Sequence, residues 1–391
     1  MRKTHPHRIS LLAALLALSM GASTLSACSE KPQSPSASPQ DNASMQEASR
    51  WQRLREALRF GDAPEEALKP WDSEDTHAEV HGPPLPPDAI VEKAGEISAL
   101  FPDGEERPAP LGSLAPQEGA DPQDLIPRIV ARGRLIVGVD NSQYLLSFRD
   151  ALSGELQGFE VDLAREVARD IFGDPSRVDF RFVASNDRLE ALKTGRVDAV
   201  VRTMTITRDR QSLVEFSTPY LRTHTRLAVP LQSDIQGVED LGGRSVCITD
   251  NSTLLELSRR LAPEAVKLRV RGWADCLLAL QQNQVDAIMS DDAILAGIIA
   301  QDPHTQIVGR SLSAEEYGIA VARPLENPES HGLVRQINAT LERLQRDGTW
   351  VRLHHQWLGP DHRDAKPYPP QYREEEVDTP EQPGDSGEEE H

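Results

Sequence analysis

Few residues of this chain combine a type and a spacing that could do chemistry, and the first is a cysteine. Cys28 directly follows Leu25-Ser26-Ala27, at the end of an apolar run that starts near Ile9 behind Arg2, Lys3 and Arg8. A basic stretch, a short apolar stretch and small residues before a cleavage point make a secretory signal. A cysteine directly after the small residues makes it look like a lipobox, in which that thiol is acylated; the alternative is an ordinary cleaved signal with a chance cysteine. The run is shorter than the roughly 20 residues needed to span a bilayer. Further along, Arg202 and Arg210 flank the hydroxyls of Thr203 and Thr205. A guanidinium grips a carboxylate through two parallel hydrogen bonds, so anion binding is the chemistry this stretch suits. Bond cleavage finds less support. Ser290 has no His partner at a recognisable spacing and there is no GxSxG elbow. The 11 His do not fall in metal-ligand spacing, and His354 and His355 are adjacent on a helix, so neither a metal nor a cofactor is expected.

Charge separates the chain into parts. The 391 residues carry a formal charge of −20, but residues 128–360 hold only about −3 of it, against about −9 before them and about −8 after. There is no basic stripe, which argues against nucleic acid as a partner. The leader is 1–27. Residues 28–125 are rich in Pro, Ser, Glu and Ala and read as a tether that buries too little apolar area to fold. A flexible chain of that length spans roughly 50–60 Å. Within it, Trp51, Leu54 and Leu58 fall on one helical face over 44–59, either a docking helix or a transient one. The Pro-rich acidic tail, 361–391, reads as disordered.

The body alternates short β-branched runs with amphipathic helices. Strands are expected at 134–139, 178–183 and 198–201, with helices at 160–171 and 187–194 between them. The pattern repeats with strands at 245–249, 266–270 and 286–289 and helices at 253–261, 274–282 and 292–299, followed by a helical stretch at 333–357. Two successive βαβαβ units imply two α/β lobes, each built on a mostly parallel sheet. If the chain returns to the first lobe, lobe 1 is 128–228 plus 322–360 and lobe 2 is 229–321, with a hinge and an interlobe cleft. Cys247 and Cys276 form an even pair in an exported chain, one on the first strand of lobe 2 and one on the helix after its second strand. These elements pack together, so a disulfide is expected, with two buried free thiols as the alternative.

The stretch GFEVDLAREVARDI (158–171), followed by TMTITRDR (203–210), VEFSTPY (214–220), GGRSVCITDNST (242–253), VDAIMSDD (285–292), YGIAVAR (317–323) and DGTW (347–350), resembles the bacterial extracellular solute-binding proteins of the polar-amino-acid type, family 3. SFRD, WADCLLALQQ and DDAILAG, with the extra Cys pair, are most similar to the glutamine-binding lipoproteins of actinobacteria, the GlnH group. The resemblance covers the body and none of the flanks. It implies the two-lobed type II periplasmic-binding-protein fold and a monomer held by lipid on the extracytoplasmic side of the cell membrane. The implied ligand is a free amino acid, glutamate or aspartate ahead of glutamine or asparagine. The partner would be an ABC permease or a membrane sensor of a serine/threonine kinase pathway. Some proteins of this fold are enzymes, cyclohexadienyl dehydratases among them; the amino-acid motif makes a binder the first reading here.

Residue by residue, Arg210 matches the arginine that holds the α-carboxylate, and Thr203 and Thr205 match positions that donate hydroxyl and backbone groups. Asp291 matches the ammonium-binding aspartate, at a strand C-terminus where open α/β sheets place ligands. Asn251, Ser252 and Thr253 open a helix whose N–H groups suit a carboxylate; Asn251 stands where the family more often has Gly, and Asn tolerates the left-handed conformation. Arg202 is either a second cleft cation that favours an acidic side chain or a solvent-facing arginine paired with Asp187 or Asp209. Leu146 stands where the family has an aromatic ring, and Tyr144 either compensates over the ligand or sits at the rim. Glu160 and Asp162 are expected to cap a helix start. Trp273, Trp350 and Trp357 are expected as core anchors.

Overall fold

The computed structural model describes residues 83–98, 108–359 and 366–374. The leader, Cys28 and the segment 44–59 lie outside the described residues. In chain order the first elements are β1 (Ile90–Glu92), α1 (Pro122–Leu125), α2 (Pro127–Arg132), β2 (Leu135–Val139), β3 (Ser142–Gln143), β4 (Ser147–Arg149) and β5 (Leu156–Gln157). Next come α3 (Phe159–Phe172), β6 (Val178–Phe182), α4 (Arg188–Lys193), β7 (Ala199–Val200), α5 (Arg208–Gln211), β8 (Glu215–Phe216) and β9 (Leu221–Pro230). The second half holds β10 (Ser245–Thr249), α6 (Thr253–Leu261), β11 (Val266–Val270), α7 (Trp273–Gln281), β12 (Ala287–Asp291) and α8 (Asp292–Gln301). The chain closes with β13 (Thr305–Val308), β14 (Ala314–Tyr317), β15 (Ala320–Val321), α9 (Ser330–Arg346) and α10 (Thr349–Leu358).

Lobe 1 is the sheet β6-β2-β7-β15-β8, and lobe 2 is β1-β11-β10-β12-β9-β13 with β14 also on β9. Each has a parallel centre, β6-β2-β7 in one and β11-β10-β12 in the other, as the βαβαβ pattern requires. Antiparallel strands extend both centres, so the sheets are mixed rather than mostly parallel. Apart from β1, the reason is the crossing between lobes. The first half of β9 pairs with β14, Leu221 with Tyr317 through His224 with Ala314. The second half pairs with β12, Thr225 facing Asp291. A strand that arrives from the other lobe runs against the local parallel set. This ribbon also moves the expected boundaries: lobe 2 starts at about Thr225, and the chain is back in lobe 1 by Ala320, which pairs with Val200.

Local sequence explains the helices that frame the site. In α3, Leu163, Val167 and Ile171 recur at four-residue spacing and are buried with Ala164 and Ala168. The helix stops at Gly173, whose φ of 72° is the left-handed cap that glycine adopts without strain. The expected single helical stretch at 333–357 is two helices, broken at Gly348 with φ 75°. Cys247 on β10 and Cys276 on α7 are disulfide-bonded, with Cα atoms 5.5 Å apart.

Two segments assigned to the flanks pack on the body instead. β1 adds an antiparallel edge strand to β11. Its Glu92 is buried beneath Arg259, which donates from Nε at 2.8 Å and Nη2 at 2.6 Å, and beside Arg269. On lobe 1, Ser113 bridges Tyr372 of the tail, and its hydroxyl donates to the carbonyl of Phe216 at 2.6 Å. Arg373 pairs with Glu215 at 3.0 Å. So the tether does not run to 125, and residues 371–373 of the tail pack on lobe 1. Composition hides these contacts because three-residue strands and single bridges leave no periodicity, and their partners lie more than a hundred residues away.

Candidate functional site

The two lobes face each other across a partly open cavity lined from lobe 1 by Ser185, Arg188, Thr203, Thr205 and Arg210 and from lobe 2 by Thr249, Ser252, Thr253, Trp273 and Asp291. Ser185, Thr203, Thr249, Ser252 and Asp291 sit at the C-terminal ends of β6, β7, β10 and β12 or in the turns that follow, where a parallel sheet leaves its crevice, and Arg188, Arg210 and Trp273 come from α4, α5 and α7. Among the described residues no group of three or more His, Cys, Asp and Glu could hold a metal ion.

The lobe 1 wall is a turn held from behind. Thr203 has φ 39°, a left-handed value that a β-branched residue adopts only under strain. Its N–H donates to Glu160 Oε1 at 2.6 Å, and the same oxygen accepts from the Tyr220 hydroxyl. Glu160 is therefore not a helix cap: it fixes the amide beneath the cavity, and its complete burial pushes its carboxyl up to about 6. Asp162 stays outside and accepts from Arg165 and from the Trp357 indole. Thr207 caps α5 from its side chain, donor Arg210 N at 3.2 Å, and so aims Arg210. Arg210 Nη1 donates to the carbonyl of Thr205 at 2.9 Å, and Nη2 reaches across to the carbonyl of Asn251 at 3.3 Å.

The second cation is not the expected one. Arg202 lies 2% exposed behind the cavity wall, and its guanidinium is committed to Asp140 and the hydroxyl of Ser185. It neither lines the cleft nor faces solvent beside Asp187 or Asp209. Asp140, at the end of the neighbouring strand β2, needs a buried counter-charge, and Arg202 meets that need. Arg188 takes the place in the cavity wall. Its Nε and Nη1 donate to the carbonyls of Ser185 and Arg202 at 2.9 and 3.2 Å. Burial, and then the positive charges of Arg210 and Arg202, hold it well below the usual arginine range. The signal for it was present: Arg188 opens a helix just after the C-terminus of β6, the end of the strand where ligands collect.

On lobe 2, Asp291 accepts from Thr225 Oγ1 at 3.0 Å and from the Tyr317 hydroxyl. Burial, then the charge of Glu315, pushes its carboxyl up to about 7. Ser252 and Thr253 begin α6, whose first turn carries no side-chain cap. Asn251 has φ 55°, the left-handed value anticipated for it, and contributes its carbonyl to Arg210 rather than a lining surface. The buried Thr249 hydroxyl, missed in the sequence, lines the cavity and has no hydrogen-bond partner among the described residues. Leu146, expected at the ligand, is instead fully buried in the lobe 1 core and does not face the cavity. Tyr144 is 36% exposed and packs on Phe148 at 4.7 Å, in a side cavity beside Trp273 and Gly297, which is the rim position. Trp350 is a core anchor, but Trp273 also lines the cleft and Trp357 is half-buried at the surface.

With this geometry in place, comparison with known proteins is specific. The model of the bacterial extracellular solute-binding proteins, family 3, matches residues 135–360. The chain is 34% identical over 240 residues to the ABC transporter glutamine-binding protein GlnH of Bacillus subtilis, covering 61% of this chain and 86% of that one. It is 31% identical over 244 residues to the glutamate-binding protein GluB of Corynebacterium glutamicum, covering 59% and 81%. An ancestral arginine-binding protein solved with glutamine bound superposes with a TM-score of 0.54 at 32% identity, over 58% of this chain and 99% of that one. The two-lobed fold is that of the type II periplasmic binding proteins, and the chain belongs to the bacterial extracellular solute-binding proteins, family 3.

Proposed function

We propose that this protein is a binder, not an enzyme: a lipid-anchored receptor on the extracytoplasmic face of the cell membrane that captures one acidic amino acid between its lobes. Its closed form is then offered to a membrane partner, an ABC permease or a sensor. Cys28 carries the anchor. Arg210, with the first turn of α6 at Ser252 and Thr253, takes the α-carboxylate. Asp291 takes the ammonium, and Thr203 and Thr205 complete the wall. The observation that carries the ligand assignment is that two arginines, Arg188 and Arg210, line the cavity against one aspartate. Arg202 does not enter this balance because Asp140 neutralises it. A zwitterion with a second carboxylate fits two cations and one anion; a neutral amide leaves a buried guanidinium without a counter-charge.

The test is calorimetry of the full chain with glutamate, aspartate, glutamine and asparagine. Glutamate and aspartate are expected to bind more tightly than the two amides. Tighter glutamine binding overturns the acidic assignment, and turnover of prephenate or arogenate would replace the binding reading with the dehydratase one.

A further inference from the structure

The floor of the lobe 2 site holds a second buried carboxyl, and the two are joined. Asp291 Oδ1 lies 3.0 Å from Thr225 Oγ1, Thr225 Oγ1 lies 2.9 Å from Ser313 Oγ, and Ser313 Oγ lies 2.9 Å from Glu315 Oε1. That is a chain of three oxygen–oxygen contacts between two carboxyl groups. Thr225 and Ser313 own one hydroxyl proton each. With both carboxyls ionised, two protons serve three contacts, and one pair of oxygens is left facing without a hydrogen. A third proton completes the chain, with each oxygen donating to the next. Among the described residues neither Asp291 nor Glu315 is in an ion pair, and the Tyr317 and Thr253 hydroxyls donate to their outer oxygens, so the chain between them stays one proton short.

We propose that in the empty cleft Asp291 and Glu315 hold one proton between them through Thr225 and Ser313, and that a ligand ammonium docking on Asp291 expels it. This rests on the amino-acid-binding reading above. In the exchange a carboxyl O–H bond breaks, the proton passes to the buffer, and an ammonium N–H takes its place on the carboxylate. Glu315 sits well to set this exchange. It lies on β14, one of the two strands that cross between the lobes, and its Oε2 accepts from Thr253 Oγ1 at 3.4 Å, at the start of α6. It thereby meets the helix start at Thr253 directly and Asp291 through Ser313 and Thr225.

The other charged and titratable groups around Asp291 are consistent with a retained proton. Asp292, the next residue, adds negative charge and is met by His224 at 3.6 Å and by the Thr223 hydroxyl. Glu316, next to Glu315, is paired with Arg222 at 3.7 Å. The Tyr317 hydroxyl bonds Asp291, with the Tyr220 ring 6.2 Å beyond it, and Arg210 faces the cavity from lobe 1. The carboxyl of Asp291 stands at about 7, from burial first and Glu315 second, so the exchange falls near neutral pH.

Titration calorimetry of the full chain with glutamate, in buffers of different ionisation enthalpy, counts the protons. Release of about half a proton or more per ligand is expected at pH 6.5–7, fading to none near pH 9, with affinity falling about tenfold per unit below pH 6. In Glu315→Gln, Asp291 loses its like-charged neighbour and the release at pH 7 drops towards zero. Ser313→Ala, which breaks the relay without changing charge, also lowers it. Tight glutamate binding with no proton exchange between pH 6 and 7.5 overturns the proposal, as does an unchanged count in both variants. Absence of binding by any amino acid instead overturns the functional reading, and this inference with it.

Discussion

Arg188→Gln separates the cation from everything else the side chain does. Arginine has five N–H donors, and two are spent on the carbonyls of Ser185 and Arg202. The part that faces the cavity is positive, buried and crowded by Arg210 and Arg202. An anionic ligand side chain relieves that crowding; an amide does not. Removing one member of a buried charge pair costs about 2–5 kcal/mol, or about 30-fold to several thousand-fold in glutamate affinity. A neutral amide contact is worth about 0.5–1.5 kcal/mol, so glutamine should lose only about 2- to 12-fold. Loosening of the Ser185 turn would weaken both ligands alike, which makes their ratio the readout. Calorimetry, or quenching of the cleft residue Trp273, measures both affinities. The glutamate preference should fall by at least about 2.5-fold, and by about 70-fold at the middle of both ranges. Equal losses for glutamate and glutamine would refute the role given to Arg188.

Two further outcomes follow from buried groups. Denatured, unreduced protein should show no reactive thiol from Cys247 or Cys276, and Cys247→Ser/Cys276→Ser should lose about 3–4 kcal/mol of lobe 2 stability in denaturant titration, from a closed loop of about 30 residues; two titratable thiols would contradict the bridge. Glu160 has its carboxyl raised from 4.5 to about 6 by burial, so the folded state favours the protonated form. Its contribution is fully present below pH 4.5 and is lost as pH rises through 6, a change of about 2 kcal/mol. Glu160→Gln should flatten that limb of the stability–pH curve of the ligand-free protein, and identical limbs in the two proteins would show that Glu160 does not titrate as the geometry requires.

The helices and central strands were legible because their signals are local. Leu163, Val167 and Ile171 report α3 by spacing alone, and Thr253–Leu261 is a helix at the residues its pattern marks. The cysteine pair was legible because βαβ connectivity brings a first strand and a second helix together, and Cys247 and Cys276 sit on those elements. What failed depends on partners distant in sequence. Arg202 looked like a cleft cation beside Thr203, but Asp140, 62 residues earlier, draws it behind the wall. β1 reads as tether in the sequence because its pairing is to β11, and the residue that fixes it, Glu92, bonds Arg259 across 167 positions. Leu146 was placed by analogy with an aromatic ring, and its burial in the lobe 1 core is a packing fact that position in a motif does not carry.

Hinge and site share residues, so ligand contacts and lobe angle depend on the same hydrogen bonds. Tyr317 ends β14, pairs with Leu221 of β9, bridges Thr205 of the lobe 1 wall, and bonds Asp291 of the lobe 2 wall. Glu315, two residues earlier on the same face of that strand, reaches Thr253 and Ser313. A rotation of one lobe against the other must bend this short ribbon, since β9 and β14 are the two strands that pass between the sheets. It cannot do so without changing the distances from Tyr317 to Asp291 and from Glu315 to Thr253. Ligand charge, the proton on the carboxyl pair and the angle between the lobes are thus set by one connected group of hydrogen bonds.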